Sequence, residues 1–113
     1  MGKYNVHYTA ESRRDLDEIW DYIGSDLQNV SAAERIVSRI MDDVDRLESH
    51  AEMGALLSSI ADVESDYRFL VTGSYLTFYR AHGSDVYVDR VLYGRRDYLR
   101  ILFGDTQDEE TAE

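Results

Sequence analysis

The chain has 113 residues, 43% of them apolar, with 12 Lys and Arg against 23 Asp and Glu and a formal net charge of −11. This length fits one domain that buries roughly two thirds of its unfolded surface. The sequence has no apolar run near the ~18 residues of a membrane span, no signal-peptide core and no cysteine for disulfides or thiolate metal sites, so a cytoplasmic location is expected.

Residues 3–9 alternate Tyr4, Val6 and Tyr8 against Lys3, Asn5 and His7, a period of two that predicts a half-buried strand. Thr9 is placed to cap a helix whose Leu16, Ile19, Trp20, Ile23 and Leu27 recur at helical spacing. Its other face offers Arg13/Asp17 and Arg14/Glu18 as i,i+4 pairs. Gly24 inside this pattern marks either close packing or an early loosening of the helix.

After a break at Asn29-Val30, Ser31-Ala32-Ala33-Glu34 has capping-box spacing. A second helix then carries Ala33, Ile36, Val37, Ile40, Val44 and Leu47 on one face. Residues 48–66 show no clear period, although Leu56-Leu57 and Ile60 are expected to reach the core. Strand-like runs follow at Tyr67–Thr72, Tyr75–Ala81 and Val86–Tyr93, separated at hairpin lengths by Gly73-Ser74 and by residues 82–85. Both faces of the middle run are bulky, which suits a central strand covered on two sides. Asp97 and Gly104 bracket a short last helix.

The expected fold is α+β, in the order β-α-α-β-β-β-α, with a helical hairpin packed on an antiparallel sheet. It forms a single domain over residues 3–104, followed by an acidic tail over 105–113 that is expected to be disordered.

The net charge hides an asymmetry. Residues 1–66 hold 15 acids and 6 bases, whereas residues 67–104 hold 3 acids and 6 bases, all arginine. The acidic whole argues against a general nucleic-acid binder, because phosphate affinity comes mostly from Lys and Arg. The second half alone does not.

Much familiar chemistry is missing. His7, His50 and His82 are isolated, and Asp42, Asp43 and Asp45 read as a solvated helix face rather than a metal site, so no metal or cofactor is expected. Phosphate loops, nucleophile elbows and H-E-x-x-H motifs are absent. Trp20 falls on the apolar stripe and is assigned to the core. What remains is arginine among tyrosines: Arg68, Arg80, Arg90, and the run Tyr93-Gly94-Arg95-Arg96-Asp97-Tyr98. Arginine offers a planar fork to phosphate or carboxylate, and tyrosine adds a stacking face. Arg80 and Arg90 also have a structural reading, as cross-strand partners of Asp85 and Asp89.

The ordered segments Asp15–Ile23, Tyr67–Leu70, Tyr75–Arg80 and Arg90–Tyr98, after the Tyr-x-Val-x-Tyr-Thr strand, resemble the RelE/ParE toxins of bacterial type II toxin–antitoxin systems. The resemblance covers residues 3–103. It implies a toxin held inactive by a cognate antitoxin, touching operator DNA only through that antitoxin. The target implied is either DNA gyrase, in the ParE branch, or ribosome-bound mRNA, in the RelE branch, which cuts without a metal. In the nuclease reading Arg68, Arg96 and Tyr98 are the catalytic candidates. In either reading Arg80, Arg90, Tyr93 and Arg95 are candidates for binding the target or nucleic acid. Two positions where RelE nucleases carry arginine and a C-terminal tyrosine hold Leu76 and Leu102 here. Tyr75–Arg80 and Arg90–Arg95 resemble the ParE pattern more closely, with Tyr93 where ParE has histidine. The acidic balance also disfavours docking on a polyanionic ribosome. The ParE-like reading is therefore preferred. A third reading is a non-toxic corepressor partner of the antitoxin.

Overall fold

The computed structural model describes residues 3–104. The acidic tail expected at 105–113 lies outside them.

The period-two segment forms β1 (Asn5–Tyr8), and Thr9 caps α1 (Ala10–Asp21) by accepting a hydrogen bond from the Ser12 amide. A π-helical turn over Tyr22–Asp26 extends α1. Gly24 lies in that turn, in keeping with the loosening read from the sequence. The helix loosens there, whereas a Cβ on Gly24 would sit 3.5 Å from the Ala33 methyl and 3.7 Å from the Trp20 indole nitrogen, ordinary contacts that do not by themselves require a glycine. Leu27, assigned to the apolar stripe, is instead exposed just beyond the widened turn.

Helix α2 spans Val30–Asp45, and its cap differs from the expected one. Asn29, not Ser31, accepts the amide of Ala32, so the helix starts two residues before the capping box would start it. Asp43 is not on a solvated face. It accepts a 2.5 Å hydrogen bond from Thr72 and ties α2 to the sheet. The pairs Arg13/Asp17 and Arg14/Glu18 do not close to ion-pair distance among the described residues.

A two-residue strand β2 (Ala55–Leu56) precedes β3 (Arg68–Thr72), β4 (Tyr75–His82), β5 (Asp85–Tyr93) and α3 (Tyr98–Phe103). The sheet order is β1-β5-β4-β3-β2. It is mixed rather than wholly antiparallel, because β1 runs parallel to β5 while the other pairs are antiparallel. Gly73 (φ 58°) and Gly83 (φ 64°) open the two-residue hairpin turns in the left-handed conformation that such tight turns require.

The sheet is covered on both faces, as the bulky central strand implies. The helical hairpin packs on one side, over Leu70, Tyr79, Val86, Val88 and Val91. Leu57, α3 and the segment before β3 pack on the other, over Phe69, Phe78 and Leu92. A β-bulge explains how Val88 and Val91, an odd number of residues apart, share a face. Phe78 pairs with Arg90 and Tyr79 with Val88, leaving Asp89 as the extra residue.

β1 covers β5 only along Asp85–Val88. Past that point α1 closes the edge. Thr9 donates its amide to the Val88 carbonyl and its hydroxyl to the Asp89 carbonyl. The Asp15 carboxylate accepts the Val91 amide at 2.9 Å and a two-pronged pair from Arg90 at 2.7 and 2.9 Å. Replacing Asp15 by alanine strands a guanidinium and an edge amide. We expect Asp15→Ala to cost about 3 kcal/mol in urea unfolding, with an unchanged denaturant slope. Gly54→Ala is expected to cost about 1–3 kcal/mol in the same assay, because the new Cβ would lie 2.5 Å from the Tyr79 hydroxyl and 2.8 Å from the Phe69 carbonyl.

Candidate functional site

The six arginines of the second half divide by what they touch, Arg100 in α3 lying 3.7 Å from Asp97. Arg90, the bulge neighbour, is held by Asp15 of α1 rather than by Asp85 or Asp89. Its pKa is raised further, chiefly by that hydrogen bond. Arg80 makes the cross-strand pair expected of it, donating to Asp89 at 2.9 Å, and also lies over the Tyr67 ring at 5.1 Å. The Tyr67 hydroxyl donates to the same carboxylate oxygen of Asp89 at 2.8 Å. Arg68 is spent on the loop before β2, donating to the Gly54 carbonyl at 2.8 Å and more weakly to Glu52. Tyr79 braces the same loop, donating to the Ala51 carbonyl and accepting from the Gly54 amide. Arg95 and Arg96, in the turn after β5, are exposed and make no ion pair among the described residues.

The nuclease candidates are not gathered at one point. Arg68 lies at the start of β3, opposite Tyr79 on the hairpin side. Arg96 follows the far end of β5, beside the Thr72 end of β3, roughly 13 Å of strand away. Tyr98 packs on the other sheet face, its ring 5.3 Å from that of Phe78. Leu76 and Leu102 pack against that same cluster. Tyr93 sits on the hairpin side, its ring edge-on to Tyr75 at 5.9 Å.

Tyr93 and Arg96 instead share a cleft of about 480 Å³ between α1 and the ends of β4 and β5. Its α1 wall presents Asp15, Glu18 and Tyr22, and its sheet wall presents Tyr75, Tyr93 and Arg96. The sequence reading missed Asp15, Glu18, Tyr22 and Tyr75 as site residues. Three of them carry a signal, since positions 15, 18 and 22 stand at i, i+3 and i+7, one face of a helix. Burial and the neighbouring phenols raise the pKa of Tyr75. Among the described residues no group of three or more His, Asp or Glu is placed to hold a metal, and no helix is long and apolar enough to cross a membrane.

Against known families, residues 6–98 match the model of the ParE toxin of type II toxin–antitoxin systems, parDE. The chain belongs to the ParE toxin family. Its fold is similar to that in a chromosomal ParDE toxin–antitoxin system from P. aeruginosa, with a TM-score of 0.68 and 22% identity over 80% of this chain and 96% of that one. It is also similar to a chain of the RelBE2 toxin–antitoxin complex from Mycobacterium tuberculosis, with a TM-score of 0.58 and 20% identity over 82% of this chain and 93% of that one. A sequence comparison with curated proteins gives no significant match. As a ParE family member the chain is a toxin of a type II toxin–antitoxin system, related through its fold to both branches anticipated from the sequence.

Two half-buried tyrosines give this ParE fold an alkaline signature. The pKa of Tyr67 is pushed up to about 12, first by burial and then by its hydrogen bond to Asp89. Tyr8 is pushed up to about 12 by burial and by the charge of Asp45. The folded chain thus keeps both protons where the unfolded chain, with phenols near 10, gives them up. Their contribution to stability is fully present below about pH 10 and is lost as pH rises toward 12. Urea midpoints measured from pH 8 to 12 should show this decline, and Tyr67→Phe should make it shallower.

Proposed function

We propose that this chain is a ParE-type toxin that inhibits DNA gyrase by docking on it, without cutting RNA, and that a cognate antitoxin neutralises it. The observation that carries the reading is what happens to the nuclease positions. Leu76 and Leu102 pack into the core on the α3 side, and Arg68 and Arg80 are engaged by loop carbonyls and by Asp89. Cleavage through the RNA's own 2′-hydroxyl needs a base for that proton and cations around the phosphorane, assembled within about 3 Å of the reacting atoms. Arg68, Arg96 and Tyr98 are distributed over two faces and two ends of the sheet, so they offer no such assembly.

The target-facing surface in this proposal is the turn after β5, with Tyr93, Arg95 and Arg96. Arg80 and Arg90 are engaged by Asp89 and Asp15 and act as structural residues in this reading. The antitoxin segment covers this turn, because its arginines are the unpaired positive charge that follows the last strand. It acts by adding contacts along the helix groove and the sheet edge. The cell compartment that fits this role is the cytoplasm.

Two experiments test the reading. Induction of the toxin alone should give filamentation and a DNA-damage response with intact mRNA. Rapid mRNA cleavage would instead establish the nuclease branch, and no growth effect would favour the corepressor. In a supercoiling assay with purified gyrase, Arg96→Ala should weaken inhibition by about tenfold or more, the effect of losing one well-placed interface arginine. Tyr98→Phe should leave it unchanged, since the hydroxyl has no part in a docking mechanism.

A further inference from the structure

The cleft between α1 and the end of β5 has a chemistry of its own, independent of which target the toxin takes. We infer that it receives the side chain of a lysine or arginine carried by a partner polypeptide. Three tyrosines, Tyr22, Tyr75 and Tyr93, line a space of about 480 Å³. Tyr75 and Tyr93 stand edge-to-face, and Tyr22, 53% exposed, faces them from the helix. Aromatic faces carry negative quadrupole density, so rings converging on one cavity favour a cation over an anion.

The charges agree with this once the internal pairs are set aside. Asp15 is neutralised by Arg90. Glu18, on the same wall, makes no ion pair among the described residues and presents a free carboxylate to the cleft. Glu11, Asp17 and Asp21 are also exposed along α1 and outnumber its exposed Arg13 and Arg14, so the helix is net acidic and steers a positively charged segment toward it. Arg96 opposes a cation from the sheet side, as one guanidinium against the Glu18 carboxylate and a lining of three tyrosines. The cleft opens to solvent, so a side chain projecting from a partner segment can enter it.

The opposite signs of Glu18 and Arg96 make the test decisive. The full chain is titrated, by amide chemical shifts of Val91 and Tyr93, with N-acetyl-arginine N-methylamide, its uncharged citrulline isostere and the corresponding aspartate derivative. We expect saturable millimolar binding of the arginine probe, and binding of the citrulline probe weaker by about fivefold or more. Glu18→Gln should weaken arginine binding by about fivefold, and Arg96→Gln should strengthen it by about threefold. Both side chains are exposed, so neither variant threatens folding. Preference for the aspartate probe, equal binding of arginine and citrulline, no saturable shift, or weaker arginine binding in Arg96→Gln would each overturn the inference.

Discussion

β5 begins as an interior strand and ends as an edge, and the Asp15 carboxylate makes that change tolerable. Where β1 stops pairing, one side chain from α1 takes the Val91 amide and clamps Arg90 in a bidentate grip. An open edge amide and a half-buried guanidinium would each carry a desolvation cost, and the shared carboxylate cancels both. The same contact fixes α1 against the end of the sheet. The cleft walls, the placement of Tyr22 opposite Tyr75 and Tyr93, and the exit of the chain toward Arg95 and Arg96 all follow from that docking.

The bulge at Asp89 is the second constraint. By adding one residue to β5 it returns Val91 to the hairpin side, frees Asp89 to meet Arg80 and Tyr67, and brings Arg90 within reach of Asp15. The arginine excess of the second half is therefore mostly internal wiring. Arg68, Arg80 and Arg90 each satisfy a specific carbonyl or carboxylate, and the uncompensated positive charge contracts to the turn after β5. In the proposed docking reading this turn is the contact surface, whereas catalysis would require several cations to converge on one phosphate.

Several features were legible in the residues because they depend on local periodicity. The alternation before Thr9 and the cap itself, the apolar stripes of both helices, the glycine-led hairpins and the two-sided burial of β4 all follow from spacing of 2 or 3.6 residues and from turn chemistry. The Arg80–Asp89 pair was legible as well, since the hairpin sets the two strands side by side. Features that depend on two distant segments meeting were not legible. The parallel pairing of β1 with β5 and the Arg90–Asp15 clamp join residues 75 or more apart, and the Asn29 cap displaced the Ser31 cap by two residues. The cleft belongs to this class, because Glu18 reads as one of many exposed helix acids until the sheet places two tyrosines opposite it.

The sequence by itself determined an α+β domain, acidic in its first half and arginine-rich in its second, because patterning and residue type are properties of neighbours along the chain. Its RelE/ParE kind entered as a resemblance. Only the tertiary structure decided which arginines remain free, since a guanidinium's availability depends on whether a carboxylate or carbonyl from elsewhere reaches it. A net charge of −11 therefore coexists with an exposed, unpaired Arg95-Arg96 turn. Charge adds up over the chain, but its pairing is settled in space.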